Sequence, residues 1–419
     1  LARPWLGSPA EPGPEADLVV IGGGVAGLAA ALAAGKRGLR VVLAEAVPAL
    51  GGRSRFFGTQ EGEETPDQAN ARLTQAVDKS DAVTVLPGTL AFALRPGVVR
   101  LHQVDMLEGT PTGRVIDIHA PHIVLATGAL ERLPVFPGNR LPGVSGAMEA
   151  FELAYAYGVW PGASTLLATS SSPAYRLAML GSDAGITVPR IIDSRARPQS
   201  RFIEFSKAYG ITQAAGTIVA AATPASKGNG LTVSPQLAME GYVRAEPAIE
   251  VDRLVVCGGW QPDLTLWHMA GGESGWHQGR SRLEPHGGPP GIALAGSAAG
   301  WLSLSACVAS GRDAVDALLG RQRRAVEEHL IDPIYETPDD PAPIGDRPDE
   351  GAPPAYLDGG LRYIERPRLR ASRWPGWLPF APQPPGWSLA DTPQPLGIAD
   401  IAAGVQLDAI PAASAGIVA

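Results

Sequence analysis

Three glycines and one carboxylate have the types and spacing to do chemistry in this chain. Gly22, Gly24 and Gly27 stand as Gly-x-Gly-x-x-Gly, and Glu45 follows 18 residues beyond Gly27. Such a run suits a pyrophosphate. The first glycine permits a tight turn, the second lets backbone approach the ligand, and the third lets a helix pack close to a strand. The ligand's charge then rests on N–H groups at the positive end of a helix dipole, worth about 0.3–1 kcal/mol when exposed. Glu45 is placed to accept both hydrogens of an adenosine ribose diol and to repel a 2′-phosphate, which favours FAD, NAD or another adenine nucleotide over NADP. Val25 and Ala26 inside the motif, and Ala46 beside the acid, belong to the same expected site. A glycine-rich turn beside a solvated glutamate is the plainer alternative, but strand, helix and acid all fall in register.

The elements that must position these residues are legible around them. The apolar run Leu18–Ile21, an Ala/Leu stretch of helical length, Gly38 and a second run Arg40–Leu43 predict a β-α-β unit. Two passages return to it. Ala49-Leu50-Gly51-Gly52-Arg53 follows the acidic strand, and an apolar strand ends in Ala126-Thr127-Gly128. A second β-α-β unit is predicted from Ser164–Ala168, Ala174–Ala184 and Ile186–Ile192. In it Thr169-Ser170-Ser171-Ser172-Pro173 takes the place of a glycine-rich loop, where Cβ atoms and the proline ring would crowd a pyrophosphate. A catalytic NAD(P)H dock is therefore not expected there. Residues 82–126 and 217–234 read as antiparallel meanders, and from Gly291 another strand–Gly–helix passage begins. Glu131 and Arg132 are read as a phosphate bracket or an exposed ion pair. His268 and His277 read as packing or surface histidines, with an inter-subunit or flavin-facing role as the alternative, and Trp260 and Trp267 as core or interface aromatics.

Composition narrows the classes. Among 419 residues, 34 Lys+Arg stand against 42 Asp+Glu, a net charge of -8, so a surface devoted to nucleic acid is excluded. The 51 glycines and 40 prolines are too many for a helical bundle. Two cysteines, Cys257 and Cys307, cannot supply a four-cysteine metal or iron–sulfur site, and no metal is expected. Both read as buried thiols, and low cysteine usage with no visible signal peptide gives a cytoplasmic expectation. After residue 331 the chain turns Pro/Trp-rich, ending in a short apolar helical pattern at 398–419.

The stretches VVIGGGVAGLAAALAAGKRG, LATGALERLPVFPGNRLPGV, YGVWPG, SSSPAYRLA, RLVVCGGWQPDLTLW and AGSAAGWLSLSACVASG carry a resemblance over roughly residues 17–320. The chain resembles the α subunit of heterotetrameric sarcosine oxidase and its relatives acting on proline, hydroxyproline, opines or glycine. That resemblance implies an α/β, two-dinucleotide-binding-domain flavoprotein-like fold, with Rossmann-like βαβ units and antiparallel insertions. Its expected parts are a first nucleotide-binding domain (17–145), a second, NAD-binding-like domain without the glycine loop (146–258), a return to the first domain (259–330), and an irregular Pro/Trp-rich extension (331–419).

Residue by residue, the resemblance assigns Gly22, Gly24, Gly27 and Glu45 to an adenine dinucleotide, FAD or NAD. Gly51, Gly52, Arg53, Thr127, Gly128, Gly296 and Ser297 would line it. It implies a partner β-type flavoprotein subunit carrying the amine-oxidising FAD, small additional subunits in some members, and an FMN between α and β. The reaction is oxidation of the C–N bond of a secondary amine or amino acid in that partner. Two other readings stand beside it: a self-sufficient FAD-dependent NAD(P)H oxidoreductase, and a non-catalytic scaffold stabilised by its nucleotide. Two departures matter. Glutathione-reductase-type enzymes carry Ala-Gly-Asp where this chain has Ala295-Gly296-Ser297, a change that favours NAD or another nucleotide over a catalytic flavin. The downstream folate-binding region of full-length α subunits, and the four-cysteine segment of shorter relatives, have no counterpart in this sequence.

Overall fold

The computed structural model describes residues 10–327, apart from 58–63, 108–109, 161, 240–241, 278–279 and 281. The Pro/Trp-rich extension and its helical end lie outside the described residues.

Two five-stranded parallel sheets organise the described residues. The first is built from β1 (Leu18–Ile21), β2 (Val41–Ala44), β3 (Val83–Leu86), β4 (His122–Leu125) and, much later, β10 (Ile292–Leu294). Their order is β10-β4-β1-β2-β3. β1 and β2 are apolar and buried along their whole length, as a strand covered on both faces must be. Helix α1 (Val25–Gly35) is nearly all Ala, Gly, Leu and Val because it is squeezed between this sheet and helix α6 (Leu304–Leu318). A Cβ on Gly311 of α6 would run into the carbonyl oxygen of Ala26. Helix α2 (Pro66–Asp78) starts at a capping box, in which Thr65 and Gln68 exchange side-chain and backbone bonds.

The second sheet holds β5 (Val144–Gly146), β6 (Thr165–Thr169), β7 (Arg190–Asp193), β8 (Thr212–Ala215) and β9 (Arg253–Cys257), in the order β5-β9-β6-β7-β8. Helices α3 (Ala147–Tyr157), α4 (Pro173–Asp183) and α5 (Arg201–Ala208) belong to it. The middle strand is β1 in the first sheet and β6 in the second, and an antiparallel meander leaves after β3 and returns to β4 in the first, and leaves after β8 and returns to β9 in the second. The meanders span 89–119 and 217–251.

Several expectations shift. VTVL, read with the antiparallel runs of 82–126, is β3 and pairs parallel with β2. Val83, Val85 and Leu86 are only partly buried and Thr84 is exposed, so this edge strand of a parallel sheet reads like a meander strand. Val144 and Ser145 already pair in the second sheet, so that sheet begins before the expected boundary at 145/146. The strand expected over 186–192 is confined to Arg190–Asp193, with one isolated bridge from Thr187 to Ser164. The irregular lead-in contains a short pairing, Glu11–Pro12 beside Ile116–Asp117.

Candidate functional site

Register brings the singled-out residues together. Ile21 pairs with Ala44 and with Leu125, and Leu125 pairs with Leu294, all in parallel. The four strands therefore leave the sheet on one side, at Gly22, Glu45, Ala126-Thr127-Gly128 and Ala295-Gly296-Ser297. This is the carboxyl edge, where open α/β sheets bind ligands.

Each motif glycine has its own reason there. Gly22 has φ +103°, and a Cβ on it would strike the carbonyl oxygen of Ala126. A Cβ on Gly27 would strike the carbonyl oxygen of Gly22, so the third glycine lets α1 sit against its own entry turn. Gly24 is different. Its φ is -71°, which any residue adopts, and the nearest protein atom to an added Cβ is the Cα of Gly52 at 3.7 Å. The protein does not require glycine at 24; a ligand pressed against that backbone would. No side chain caps the N-terminus of α1, whose N-cap is Gly24. These residues fit a pyrophosphate.

Gly51 and Gly52 pack onto the motif itself. The Gly51 N–H donates to the Gly23 carbonyl at 2.9 Å, Gly24 and Gly51 form a bridge, and a Cβ on Gly52 would lie 2.8 Å from Gly24 Cα. Glu45 also folds inward. Its Oε2 accepts from the Gly23 N–H at 2.6 Å and its Oε1 from the Val47 N–H at 3.0 Å. The carboxylate thus braces the loop, with its remaining lone pairs available to a sugar hydroxyl. Ala46 is exposed at the start of the bend that leads to Gly51. Val25 and Ala26 are buried in the first turn of α1.

On the far side, Thr127 Oγ1 donates to the Asp263 carbonyl at 3.0 Å, and the Asp263 N–H donates to the Gly128 carbonyl at 3.0 Å. A Cβ on Gly128 would meet Ser297 Oγ at 4.0 Å, which places these two turns side by side. The Gly296 N–H donates to Ser310 Oγ at 3.0 Å, and a Cβ on Gly296 would stand 2.6 Å from that of Ala26. Ser310 and Asp263 are thus supports that fall within the stretches carrying the resemblance but are not singled out there as site residues.

Arg53 is not aimed at this edge. Its guanidinium meets Glu152 of α3 at 2.7 Å, both side chains being half-exposed. The next residues form a helical turn, Ser54–Phe57, whose Phe56 and Phe57 pack in the core of the second unit. Phe56 lies edge-on to Phe151 at 5.5 Å and to Trp260 at 5.3 Å. Arg176 of α4 donates to the carbonyls of Arg55 and Phe56 at 2.8 and 2.9 Å. The glycine pair at 51–52 is thereby anchored to the second unit.

Glu131 brackets no phosphate and makes no exposed ion pair. Its carboxylate accepts the N–H groups of Ala147 and Met148, both at 3.0 Å, at the N-terminus of α3. Burial pushes its carboxyl up to about 7, against the bonds from Met148, Cys257 and Ala147 and the charge of Arg53. His268 is exposed and shares a 2.9 Å bond with Ser274, while His277 accepts from the Arg280 N–H at 3.2 Å in an exposed hairpin. Trp260 and Trp267 are buried, as are Cys257 and Cys307. No helix among the described residues is long and apolar enough to cross a membrane.

Two parallel sheets with meander insertions, and a glycine-lined carboxyl edge on the first, define a flavoprotein-type fold with two dinucleotide-binding-like units. The family model for pyridine nucleotide-disulphide oxidoreductases matches residues 16–157. Among solved structures, the thioredoxin reductase of T. acidophilum superposes with a TM-score of 0.55 at 16% identity, over 73% of this chain and 98% of that one. Named relatives narrow the class further. The chain is 32% identical over 314 residues to the sarcosine oxidase alpha subunit of Rhizobium meliloti (strain 1021), covering 72% of this chain and 30% of that protein. It is 27% identical to the opine oxidase A subunit of Agrobacterium tumefaciens (strain Ach5), over 72% of this chain and 65% of that one. The chain therefore spans under a third of the sarcosine oxidase relative.

Proposed function

We infer that this chain is the nucleotide-binding, α-type subunit of a hetero-oligomeric, flavin-dependent oxidoreductase acting on the C–N bond of a secondary amine or amino acid. One observation carries the reading: the carboxyl edge of the first sheet offers a bare Gly24 and an α1 N-terminus that no side chain caps. The named relatives supply the substrate class, since those proteins are called sarcosine and opine oxidases.

In this reading an adenine dinucleotide, FAD or NAD, lies with its pyrophosphate against Gly22, Gly24, Val25, Ala26 and Gly27. Glu45 and Ala46 hold the ribose, and Gly51, Gly52, Thr127, Gly128, Gly296 and Ser297 line the remainder. Arg53, tied to Glu152, acts on the site through the loop it ends. A bound flavin supplies two-electron transfer; the chain's own residues bind and orient the dinucleotide and keep its phosphates on backbone N–H groups. The amine is oxidised to an imine, which water hydrolyses, in a partner β-type flavoprotein subunit. An FMN held between the two subunits, if present, would supply electron transfer between them.

The test is purification of the native complex, with identification of its subunits and of the nucleotide released on denaturation. A Gly24→Val chain should assemble with its partner yet carry no dinucleotide and support little turnover of secondary amines. Retention of the nucleotide by that variant, or a chain isolated with no partner and no amine-dependent activity, overturns the reading.

A further inference from the structure

The second sheet repeats the register of the first, so the two loops can be matched residue by residue along the backbone. Thr169 pairs with Asp193 as Ile21 pairs with Ala44, and Ser172 is the N-cap of α4 as Gly24 is that of α1. Ser170, Ser172, Tyr175 and Ser194 therefore stand where Gly22, Gly24, Gly27 and Glu45 stand in the first unit. The third glycine has become a tyrosine and the acid a serine.

What fills that corner is a closed set of side chains. Tyr175, Asp193 and Arg195 are 1%, 0% and 3% exposed. The Tyr175 hydroxyl donates to Asp193 Oδ2 at 2.8 Å. Arg195 Nε donates to Asp193 Oδ1 at 3.0 Å and Nη2 to Oδ2 at 2.8 Å, a forked ion pair. Arg195 Nη1 then reaches across to Ser172 Oγ at 3.0 Å, over the helix N-terminus that a pyrophosphate would need. Thr169 Oγ1 turns back on the loop, accepting the Ser171 N–H and donating to the Ser171 carbonyl, both at 2.8 Å. Ser170, Ser171 and Ser194 also place hydroxyls in this sealed corner without a protein partner. Their burial is a desolvation loss that an open, wet cleft would not impose.

We propose that Tyr175, Asp193, Arg195 and Ser172 are the built-in occupant of a second dinucleotide cleft, so that the chain holds one dinucleotide and refuses NADH and NADPH in its second unit. Electrons then reach or leave the cofactor through a group that another chain presents, not through a soluble nicotinamide docked on this one. That electron route rests on the proposed function; the filled cleft does not.

The test uses the full chain as purified. Denaturation should release one adenine dinucleotide per chain. NADH or NADPH at millimolar concentration should give no saturable heat or tryptophan quenching once the first site is filled, and none at all in a Gly24→Val chain. A second equivalent of dinucleotide, or saturable NAD(P)H binding that survives Gly24→Val, overturns the proposal while leaving the first site's assignment standing. Conversely, binding abolished by Gly24→Val belongs to the first site. Tyr175→Phe, which removes one donor to a buried carboxylate, should lower the thermal midpoint by several degrees with unchanged nucleotide content. An unchanged midpoint, or a changed content, counts against the closed cluster.

Discussion

Gly24 and Gly27 lie three residues apart and answer to different demands. A Cβ at 27 meets a carbonyl oxygen of the protein's own backbone, whereas a Cβ at 24 meets only open space and the edge of Gly52. Gly27→Ala should therefore lower stability by about 3 kcal/mol in the nucleotide-free chain, as forced overpacking does. Gly24→Ala should change that stability by no more than about 1 kcal/mol yet weaken dinucleotide binding. Denaturant unfolding beside a binding titration separates the two effects. Glu131 gives a second residue-scale expectation. Its carboxyl is raised from 4.5 to about 7 in the folded chain, so the folded state keeps a proton that the unfolded state releases. Stability is then greatest below 4.5 and falls by ~3 kcal/mol as pH rises to 7, levelling beyond. Glu131→Gln cannot titrate, so the difference between wild type and variant should shrink across that window and stay flat above it. A difference that does not vary with pH would show that Glu131 ionises as in the unfolded chain. Neither the carboxylate's two N–H partners nor its burial is legible in ALERLP; both come from α3, which begins 16 residues later.

At the scale of elements, the β-α-β units are legible because apolar runs, small-residue helices and glycine turns repeat with the periods of strand and helix. The first strand is expected at Leu18–Ile21 and lies there, and the glycine-free loop of the second unit can be seen from composition alone. What is not legible depends on partners distant in the chain. VTVL alternates like a meander strand and only its parallel neighbour tells otherwise. The helical turn Ser54–Phe57 carries no pattern of its own; Arg176, some 120 residues on, holds its carbonyls, and Trp260 and Phe151 receive its rings. Tyr175 and Arg195 read as ordinary helix and loop residues until register sets them at Asp193. Phe56→Ala should cost ~3–5 kcal/mol as a buried aromatic truncation. Because the turn tethers Gly51 and Gly52, the same variant should also bind the dinucleotide less tightly. Calorimetric melting and a binding isotherm on one preparation check both; a melting change without any loss of affinity would mean the tether does not reach the site.

For the molecule as a whole, the residues that build the candidate site, from Gly22 to Ser310, all fall within the described span 10–327. A chain ending at Pro341 should accordingly fold and keep the same dinucleotide content as the full chain, measured on the nucleotide released by acid; loss of it would assign residues 342–419 a part in binding. The two sheets are not modules that happen to be adjacent. Phe56 and Phe57 are loaned from one sheet's loop to the other's interior. A protein engineer who cut at the two linkers, hoping to transplant the 144–257 fold alone, would leave a greasy socket in the excised piece and two stranded phenyl rings in the remainder. Dissection of this architecture has to carry residues 51–57 along with the excised second-sheet piece, or it will yield aggregates in place of parts.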